Sequence, residues 1–161
     1  MEIRLARLDD AEAIRQIYNH EVSTSTVTFD LVPRSLDEQR TWLGARSGAH
    51  AVIVAEDEGE VVGFASLSPF RDRPAYNSTV EDSIYVRADQ RGRQVGHRLL
   101  EELLSLASQH GFHTVIARIV GGHEASIGLH RRLGFTEIGT EREVGRKFGT
   151  WLDVVAMQRM L

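Results

Sequence analysis

The sequence predicts an α/β protein, of the α+β kind, in which one mixed sheet is flanked by helices. Three observations lead to this expectation. Short apolar runs and helix-like segments follow one another in the order β-α-α-β-β-β-α-β-α-β-β. Glycines and charged turn residues separate most of these segments. The length of 161 residues fits a single domain, 1–161, and no linker, repeat or low-complexity tract divides it.

Composition and charge exclude several other classes of protein. Hydrophobic residues make up 42% and charged residues 26%, which is typical of a globular protein with a real core. No apolar run approaches the roughly 18 residues of a membrane span, and the N-terminal segment lacks the apolar stretch of a signal peptide. The absence of cysteine excludes disulfides and thiolate chemistry and fits a cytoplasmic location. A net charge of -4 argues against nucleic acid as the main partner.

Four helices are predicted from apolar periodicity and from residues that start or stop helices. Asp9 with Glu12, and Ser35 with Glu38, form capping-box pairs at the first two helix starts, and residues 22–30 between these helices form a loop. The third helix carries an apolar stripe that comprises Val95, Leu99, Leu103 and Leu106. The last two helices end at glycines, which favour left-handed caps: Gly111 and Gly134.

Seven segments are predicted to be strands. A turn at 57–59 joins the second strand to the third, and the fourth strand, TVEDSIYV, alternates most clearly. One face of that fourth strand consists of Val80, Asp82, Ile84 and Val86. The seven segments are 3–6, 51–54, 61–67, 79–86, 115–120, 136–142 and 151–160.

A basic loop with two glycines, Arg91–Gly96 (RGRQVG), joins the fourth strand to the longest helix. The first N–H groups of a helix lack intrahelical partners, and the helix dipole adds positive charge there. Gly92 and Gly96 allow the backbone to approach a pyrophosphate closely, and the arginines add charge. The same residues also suit a solvated basic turn. The loop matches neither GxGxxG nor the P-loop, which argues against Rossmann and P-loop nucleotide enzymes.

Longer motifs place the chain beside a known family. The Arg91–Gly96 loop, followed by HxxSxxLHxxLGF over His123–Phe135, resembles the GNAT superfamily of acyl-CoA-dependent N-acetyltransferases. Further segments are similar to the phosphinothricin acetyltransferase group, which includes enzymes acting on methionine sulfoximine and methionine sulfone. These segments are IYNHEV, TFD, VVGFASLSPFRDRPAY, TVEDSIYV and VGRKFGTWLD. The resemblance extends over essentially the whole chain.

The resemblance implies a GNAT fold, whose mostly antiparallel sheet splays apart between the fourth and fifth strands. Acetyl-CoA, the acetyl donor, is expected in that gap, with its pantetheine arm along Ile84, Tyr85 and Val86. Its pyrophosphate is expected on the basic loop and the following helix start, which comprise Arg91, Gly92, Arg93, Gln94, Val95, Gly96 and His97. Members of this group are commonly homodimers.

Two residues depart from the family pattern. Gln94 stands where the RGRGxG loop usually has glycine, and a left-handed φ there would cost about 1 kcal/mol. We therefore expect a helical or extended φ at Gln94. His123 stands where the family usually has an asparagine that reaches the CoA arm, and an imidazole can still donate one hydrogen bond to it.

Acetyl transfer to an amine needs a base, an oxyanion donor and a proton source for the leaving thiolate. The resemblance matches Glu81 to the catalytic glutamate of the family; without it, Glu81 would be an ordinary exposed strand residue. Partial burial would raise the pKa of Glu81 and make it a better base. His130 matches the position of an acid, and the alternative is a helix-surface histidine. The backbone N–H of Val86 is the expected oxyanion donor.

The substrate is expected to be a small amino-acid-like amine. The family match suggests that Arg71 and Arg73 bind its carboxylate or phosphinate, whereas both arginines also suit a solvent-facing loop. Lys147, Phe148 and Trp151 line either the site or a dimer contact. The full set of expected substrate-binding residues is Phe29, Phe70, Arg71, Asp72, Arg73 and Glu81.

Two further functions share this fold, and a metal site is not expected. A CoA-binding regulator without catalysis, or an acetyltransferase acting on a protein or peptide amine, would use the same cofactor loop. The seven histidines show no HExxH spacing and no paired ligands on one helix face. The expected partners are therefore acetyl-CoA, the amine and a second copy of the chain, and neither nucleic acid nor membrane.

Overall fold

The computed structural model describes residues 1–46 and 48–161, and the elements in them follow the predicted order. The helices are α1 (Ala11–Thr24), α2 (Leu36–Gly44), α3 (Val95–Gln109) and α4 (Glu124–Arg132). The strands are β1 (Glu2–Leu5), β2 (Val52–Asp57), β3 (Glu60–Pro69), β4 (Thr79–Val86), β5 (Thr114–Val120), β6 (Thr136–Lys147) and β7 (Thr150–Met160).

In the described residues the seven strands form one mixed sheet in the order β1-β2-β3-β4-β5-β7-β6. Neighbouring strands run antiparallel, except that β4 and β5 run parallel. This parallel pair is possible because the long helix α3 lies between the two strands in the sequence and carries the chain back to the start of the sheet. The predicted mixed, mostly antiparallel sheet is confirmed.

The sheet splays open between β4 and β5. Only three residue pairs join these strands, from Thr79–Thr114 to Glu81–Ile116. Beyond that point β4 stays paired with β3 as far as Val86, and β5 stays paired with β7 as far as Val120. The two halves therefore diverge into a V-shaped gap, which confirms the expected split between the fourth and fifth strands.

Helices cover both faces of the sheet. One apolar cluster joins the α3 stripe and Ile127 of α4 to the sheet, while a second joins α1 and α2 to residues such as Val54 and Phe64 on the other face. In the predicted α3 stripe, Val95, Leu99 and Leu103 are buried, and Leu106 is only partly buried. Burial of each amphipathic helix face against the sheet therefore holds the halves of the gap in place.

Several of the predicted local signals form as expected. Ser35 Oγ accepts from the Glu38 N–H at 3.1 Å, and the Glu38 carboxylate accepts from the Ser35 N–H at 2.8 Å, which completes the capping box of α2. At the end of α4, Gly134 has φ 87°, and the Phe135 N–H donates to the His130 carbonyl at 3.0 Å. This Schellman arrangement stops α4 where the sequence predicted it.

The start of α1 differs from the prediction. The chain first forms a short 3-10 turn at Leu8–Asp10, and α1 begins at Ala11, so Asp9 is not the cap. Asp10 is the residue before α1, but its carboxylate turns back to accept the Arg7 N–H at 2.6 Å and the Arg4 guanidinium at 2.9 Å, and it caps no N–H of α1. Arg4 of β1 therefore binds the second of the two aspartates, Asp10.

Two predicted boundaries are also wrong. Helix α1 continues to Thr24, two residues past the predicted start of the loop. Strand β6 continues to Lys147 rather than ending at 142, because two register shifts against β7 absorb the irregular residues. One of them, Glu143, has φ 51° and donates its N–H to the Asp153 carboxylate at 2.8 Å, so the strand resumes beyond it.

The end of β6 packs against the loop that follows α1. A methyl group added at Gly145 would lie 2.9 Å from Cδ2 and Cζ of Phe29, closer than carbon atoms can pack. At Gly139 of the same strand, an added methyl group would have nothing within 4 Å among the described residues. The contact with Phe29 therefore requires a residue without a side chain at position 145, whereas position 139 has no such requirement.

We expect Gly145→Ala to destabilise the protein by about 1 to 3 kcal/mol, because the added methyl group displaces the Phe29 ring. Thermal unfolding measures this change, and Gly139→Ala provides the control on the same strand. Equal melting temperatures for the two variants would show that Phe29 does not pack on Gly145.

Candidate active site

A cavity of about 910 Å³ occupies the gap between β4 and β5. It is bounded by the diverging halves of the sheet, by the start of α3, by α4 and by the end of α1. Residues that line it include Asp82, Tyr85, Gly96, Arg118, His123 and His130. The parting of the strands thus creates a cavity large enough for a small-molecule ligand.

The free edge of β4 borders this gap. The Arg87 N–H donates to the Val62 carbonyl at 2.9 Å, and Gly63 faces Val86 in the same antiparallel ladder. Because hydrogen bonding alternates along such a ladder, the backbone groups of Ile84 and Val86 point away from β3 and toward the gap. The backbone of Tyr85 is instead directed at β3, so its contribution to the cavity is its side chain.

The start of α3 lies at one end of the cavity. The Arg98 N–H bonds to the Gln94 carbonyl at 3.1 Å as the first helical bond, so the N–H groups of Val95, Gly96 and His97 are not consumed within the helix. Gly92 has φ 76° and an added Cβ there would meet nothing within 4 Å among the described residues. This open turn and its free donors suit an anion such as a pyrophosphate.

Gln94 contradicts the expected backbone conformation. It has φ 62° and ψ 13°, which is left-handed, and it is the residue before the first turn of α3. The loop geometry therefore requires the conformation that glycine adopts without cost, and glutamine adopts it at a cost of about 1 kcal/mol. The packing of Val95, which is buried next to it, fixes this direction of the chain.

The arginines of the loop are held by acidic and amide partners. Arg91 forms an ion pair with Glu21 of α1, which is buried and also accepts from Ser25 Oγ at 2.5 Å. Arg93 contacts the Gln90 side chain and lies 3.5 Å from the Asp57 carboxylate. These partners hold both guanidinium groups beside the helix start.

Glu81 stands at the apex of the gap. It belongs to the last paired position of β4 and β5, it is half-buried, and its side chain is on the opposite face of the strand from Asp82. Burial raises the pKa of the Glu81 carboxyl, the nearby Arg118 charge opposes this rise, and Asp82 adds to it. Glu81 itself does not line the cavity, but the next residue, Asp82, does.

Arg118 is a cavity residue that the sequence reasoning missed. It follows Ile116 on β5 by two positions, so it shares a face of the sheet with Glu81. It lines the cavity and pairs with Glu141 of β6. The available signal was a single arginine in the otherwise apolar strand TVIARIV.

His130 is buried and bonded at both ring nitrogens. Its Nε2 lies 2.8 Å from Asp82 Oδ2, and its Nδ1 lies 2.7 Å from the Ser126 carbonyl oxygen. Although burial disfavours a charged imidazole, these acceptors outweigh it and raise the pKa of His130. The expectation of an exposed helix-surface histidine is therefore excluded, and Asp82 emerges as a partner that was not predicted.

His123 lies at the start of α4 and lines the cavity half-buried. Burial lowers its pKa, and the nearby positive charge of Arg91 lowers it further. A neutral imidazole retains one N–H donor, so His123 can still donate the hydrogen bond expected of the asparagine that it replaces.

The predicted substrate-binding residues are not gathered in the cavity. Arg71, Asp72 and Arg73 are exposed on the segment before β4, and the Arg71 guanidinium packs 4.6 Å from the Phe70 ring. Phe29 is also exposed and packs on Gly145. Their roles in substrate binding remain predictions.

The Lys147–Trp151 segment has two sides. Lys147 is buried, and its Nζ donates to the Thr28 carbonyl at 2.9 Å, so it braces the loop after α1. Burial lowers the pKa of this amine. Phe148 and Trp151 instead face outward and are exposed.

The described residues offer neither a membrane-spanning helix nor a metal cluster. No helix among them is both long and apolar enough to cross a membrane. They also contain no group of three or more histidine, aspartate or glutamate side chains placed to hold a metal ion.

Comparisons with known proteins agree with this geometry. The family model of the acetyltransferase (GNAT) domain matches residues 3–156. An L-methionine sulfoximine/L-methionine sulfone acetyltransferase of Pseudomonas paraeruginosa is 43% identical over 97% of this chain and 92% of its own. The crystal structure of a ribosomal-protein-alanine N-acetyltransferase from Brucella melitensis has a TM-score of 0.98 at 41% identity, covering 100% of both chains.

A further solved structure contains the acetyl donor. A GNAT superfamily phosphinothricin acetyltransferase from Sinorhizobium meliloti, in complex with AcCoA, has a TM-score of 0.96 at 40% identity, covering 99% of this chain and 88% of its own. The splayed sheet, the family model and these relatives define an acetyl-CoA-dependent N-acetyltransferase. The chain belongs to the GNAT family.

We expect Arg118→Gln to move the acid limb of the pH profile of kcat/KM to higher pH. The guanidinium charge favours the carboxylate form of Glu81, so its loss raises the pKa of that group further. Arg40→Gln, on an exposed side chain of α2, provides the control and should leave the limb in place. A limb that stays fixed or moves to lower pH would show that Arg118 does not act on the base.

Proposed function

We propose that this chain transfers the acetyl group of acetyl-CoA directly to the α-amine of a small amino-acid-like substrate, with Glu81 as the general base. The observation that carries the proposal is the position of Glu81 at the last β4–β5 pair, where the edge of β4 becomes free. The names of the relatives, which include methionine sulfoximine and phosphinothricin acetyltransferases, support the substrate class.

Glu81 suits the removal of a proton from an ammonium group. Burial raises the pKa of its carboxyl, which makes it a stronger base than an exposed glutamate. Arg118 limits the rise and so preserves the ionised form. The amine that results has the lone pair needed to attack the thioester carbonyl.

The remaining steps use backbone groups and the second amine proton. As the C–N bond forms, the carbonyl oxygen gains charge, and the Val86 N–H that points into the gap is the proposed donor to it. The C–S bond then breaks. The acetylated nitrogen releases one proton and the thiolate takes one up, so the products are an amide and a free thiol.

Cofactor binding is proposed at the start of α3. The free N–H groups of Val95, Gly96 and His97 and the charges of Arg91 and Arg93 favour the pyrophosphate. The free backbone edge at Ile84 and Val86 suits the amides of the pantetheine arm. The cytoplasm, as the compartment that supplies acetyl-CoA, is the proposed location.

The test of the substrate class is a panel of amines with acetyl-CoA, read by release of free thiol. We expect the highest kcat/KM for phosphinothricin, methionine sulfoximine or methionine sulfone, above common amino acids. A peptide with an N-terminal alanine belongs in the panel because of the Brucella structure. Preference for that peptide would favour a protein substrate, and cofactor binding without thiol release from any amine would favour a regulator.

Glu81→Gln is expected to lower kcat by about 100-fold or more while calorimetry shows unchanged affinity for acetyl-CoA, because the amide cannot accept the proton. Glu102→Gln, on the exposed face of α3, should retain full activity. Full activity of the Glu81 variant would remove it from the role of base.

We also propose a homodimer through β6 and β7. Strand β6 lies at the edge of the sheet, and, apart from Met160 at the end of β7, four large apolar side chains on this hairpin are exposed. A long edge strand with exposed apolar residues favours pairing with another chain. These residues are Ile138, Val144, Phe148 and Trp151.

Replacing Phe148 and Trp151 together by Asp and Glu is expected to convert dimer to monomer in sedimentation velocity, because the new charges would be buried at the interface. Val32→Asp, at a position that is 78% exposed and distant in sequence, serves as the control and should stay dimeric. A monomeric wild-type protein would contradict the proposal, as would a double variant that remains dimeric.

A further inference from the structure

The apex of the gap is closed by a side-chain pair rather than by backbone. Pairing between β4 and β5 ends at Glu81, and Asp82 is the next residue of β4. Its carboxylate reaches His130 of α4, the helix that follows β5. Asp82 and His130 are 6% and 4% exposed, so the bond that joins the two halves of the sheet here is shielded from water.

The partners of His130 determine its protonation. The Ser126 carbonyl oxygen at 2.7 Å from Nδ1 can only accept, so Nδ1 carries a proton. The Asp82 carboxylate at 2.8 Å from Nε2 accepts in the same way, so Nε2 carries one as well. The other titratable group near the ring is His123 at the start of α4. Both ring nitrogens of His130 are therefore committed to these partners, and its raised pKa favours the imidazolium form.

Asp82 depends on this partner as strongly as His130 does. Its second oxygen, Oδ1, is buried and has no hydrogen-bond donor among the residues that the structure describes. The imidazolium therefore offsets most of the cost of burying this carboxylate. The Phe135 ring also packs edge-to-face against the His130 imidazole, with the ring centroids 4.9 Å apart.

We propose that Asp82 is a positioning residue of the acetyltransferase, and that its bond to His130 sets the opening of the gap and the place of Glu81 within it. This proposal rests on the proposed role of Glu81 as base. The pair acts by geometry, because His130 has no free N–H to give to the sulfur of the leaving thiolate. The proton that the sulfur takes up balances the one released by the acetylated nitrogen.

The first test measures the protonation of His130 in the wild-type protein. Nitrogen chemical shifts of the His130 ring, measured with ¹⁵N-histidine labelling, should show both nitrogens protonated at about pH 7, where a free imidazole is mostly neutral. In Asp82→Asn one ring proton should be lost at that pH. A neutral His130 ring in the wild-type protein would overturn the proposal without any variant having to fold.

The second test separates a positioning role from an acid. We expect His130→Ala to lower kcat by about 10- to 100-fold with the KM for acetyl-CoA nearly unchanged, because small displacements of reacting groups cost this much. His130→Gln can still donate to Asp82 but cannot act as an acid, and it should recover most of kcat. If the glutamine variant is as inactive as the alanine variant, the proton of His130 is needed and the proposal is wrong.

A double variant addresses folding. Asp82→Asn with His130→Gln removes both charges together and keeps an amide pair of similar shape, so it should fold and retain most of the activity. Loss of kcat in this folded double variant would also overturn the proposal. Asp37→Asn, whose side chain is 97% exposed on α2, is the matched control and should behave as wild type.

Failure of this proposal can be distinguished from failure of Glu81 as the base. If Glu81→Gln stays fully active, the base is wrong, yet the ring protonation and the contrast between His130→Ala and His130→Gln can still be measured. If instead Glu81→Gln is inactive and His130→Ala is fully active, the base stands and the positioning role of Asp82 fails.

Discussion

Backbone pairing between β4 and β5 stops after Glu81 and Ile116, and most features of this molecule depend on that break. Backbone N–H and C=O groups that leave a ladder need other partners. Along Ile84 and Val86 they border the cavity, where the amides of an extended cofactor arm can take the place of a strand. The geometry of the sheet thus leaves unpaired the backbone groups that we propose as the binding site of the co-substrate.

The break persists because helices pack on both faces of the sheet. Apolar residues of α3 and α4 bury one face, and α1 and α2 bury the other, so neither half can rotate to close the gap without exposing core. The cost of the open geometry also appears in the loop, where Gln94 is held left-handed. Its neighbour Val95 is buried, and this burial outweighs about 1 kcal/mol of backbone strain.

The sequence predicted those features that are decided by neighbouring residues. The alternation of TVEDSIYV, the Ser35–Glu38 capping box and the glycine that ends α4 all formed where expected. The prediction failed where pairing between elements decides: Arg4 of β1 binds Asp10 before α1, and pairing with β7 extends β6 beyond a bulge. Asp82 and His130 are 48 positions apart, and only the fold shows that they are bonded.

Glu81 and Asp82 show how one strand gives adjacent carboxylates different tasks. Side chains alternate across a strand, so the two point to opposite faces. Asp82 bonds to the His130 ring in a buried site and is held there by it. Glu81 is only partly buried, and this burial raises the pKa of its carboxyl, while the more distant Arg118 guanidinium opposes the rise. Since the two residue types differ by one methylene, environment rather than intrinsic acidity separates the structural carboxylate from the basic one.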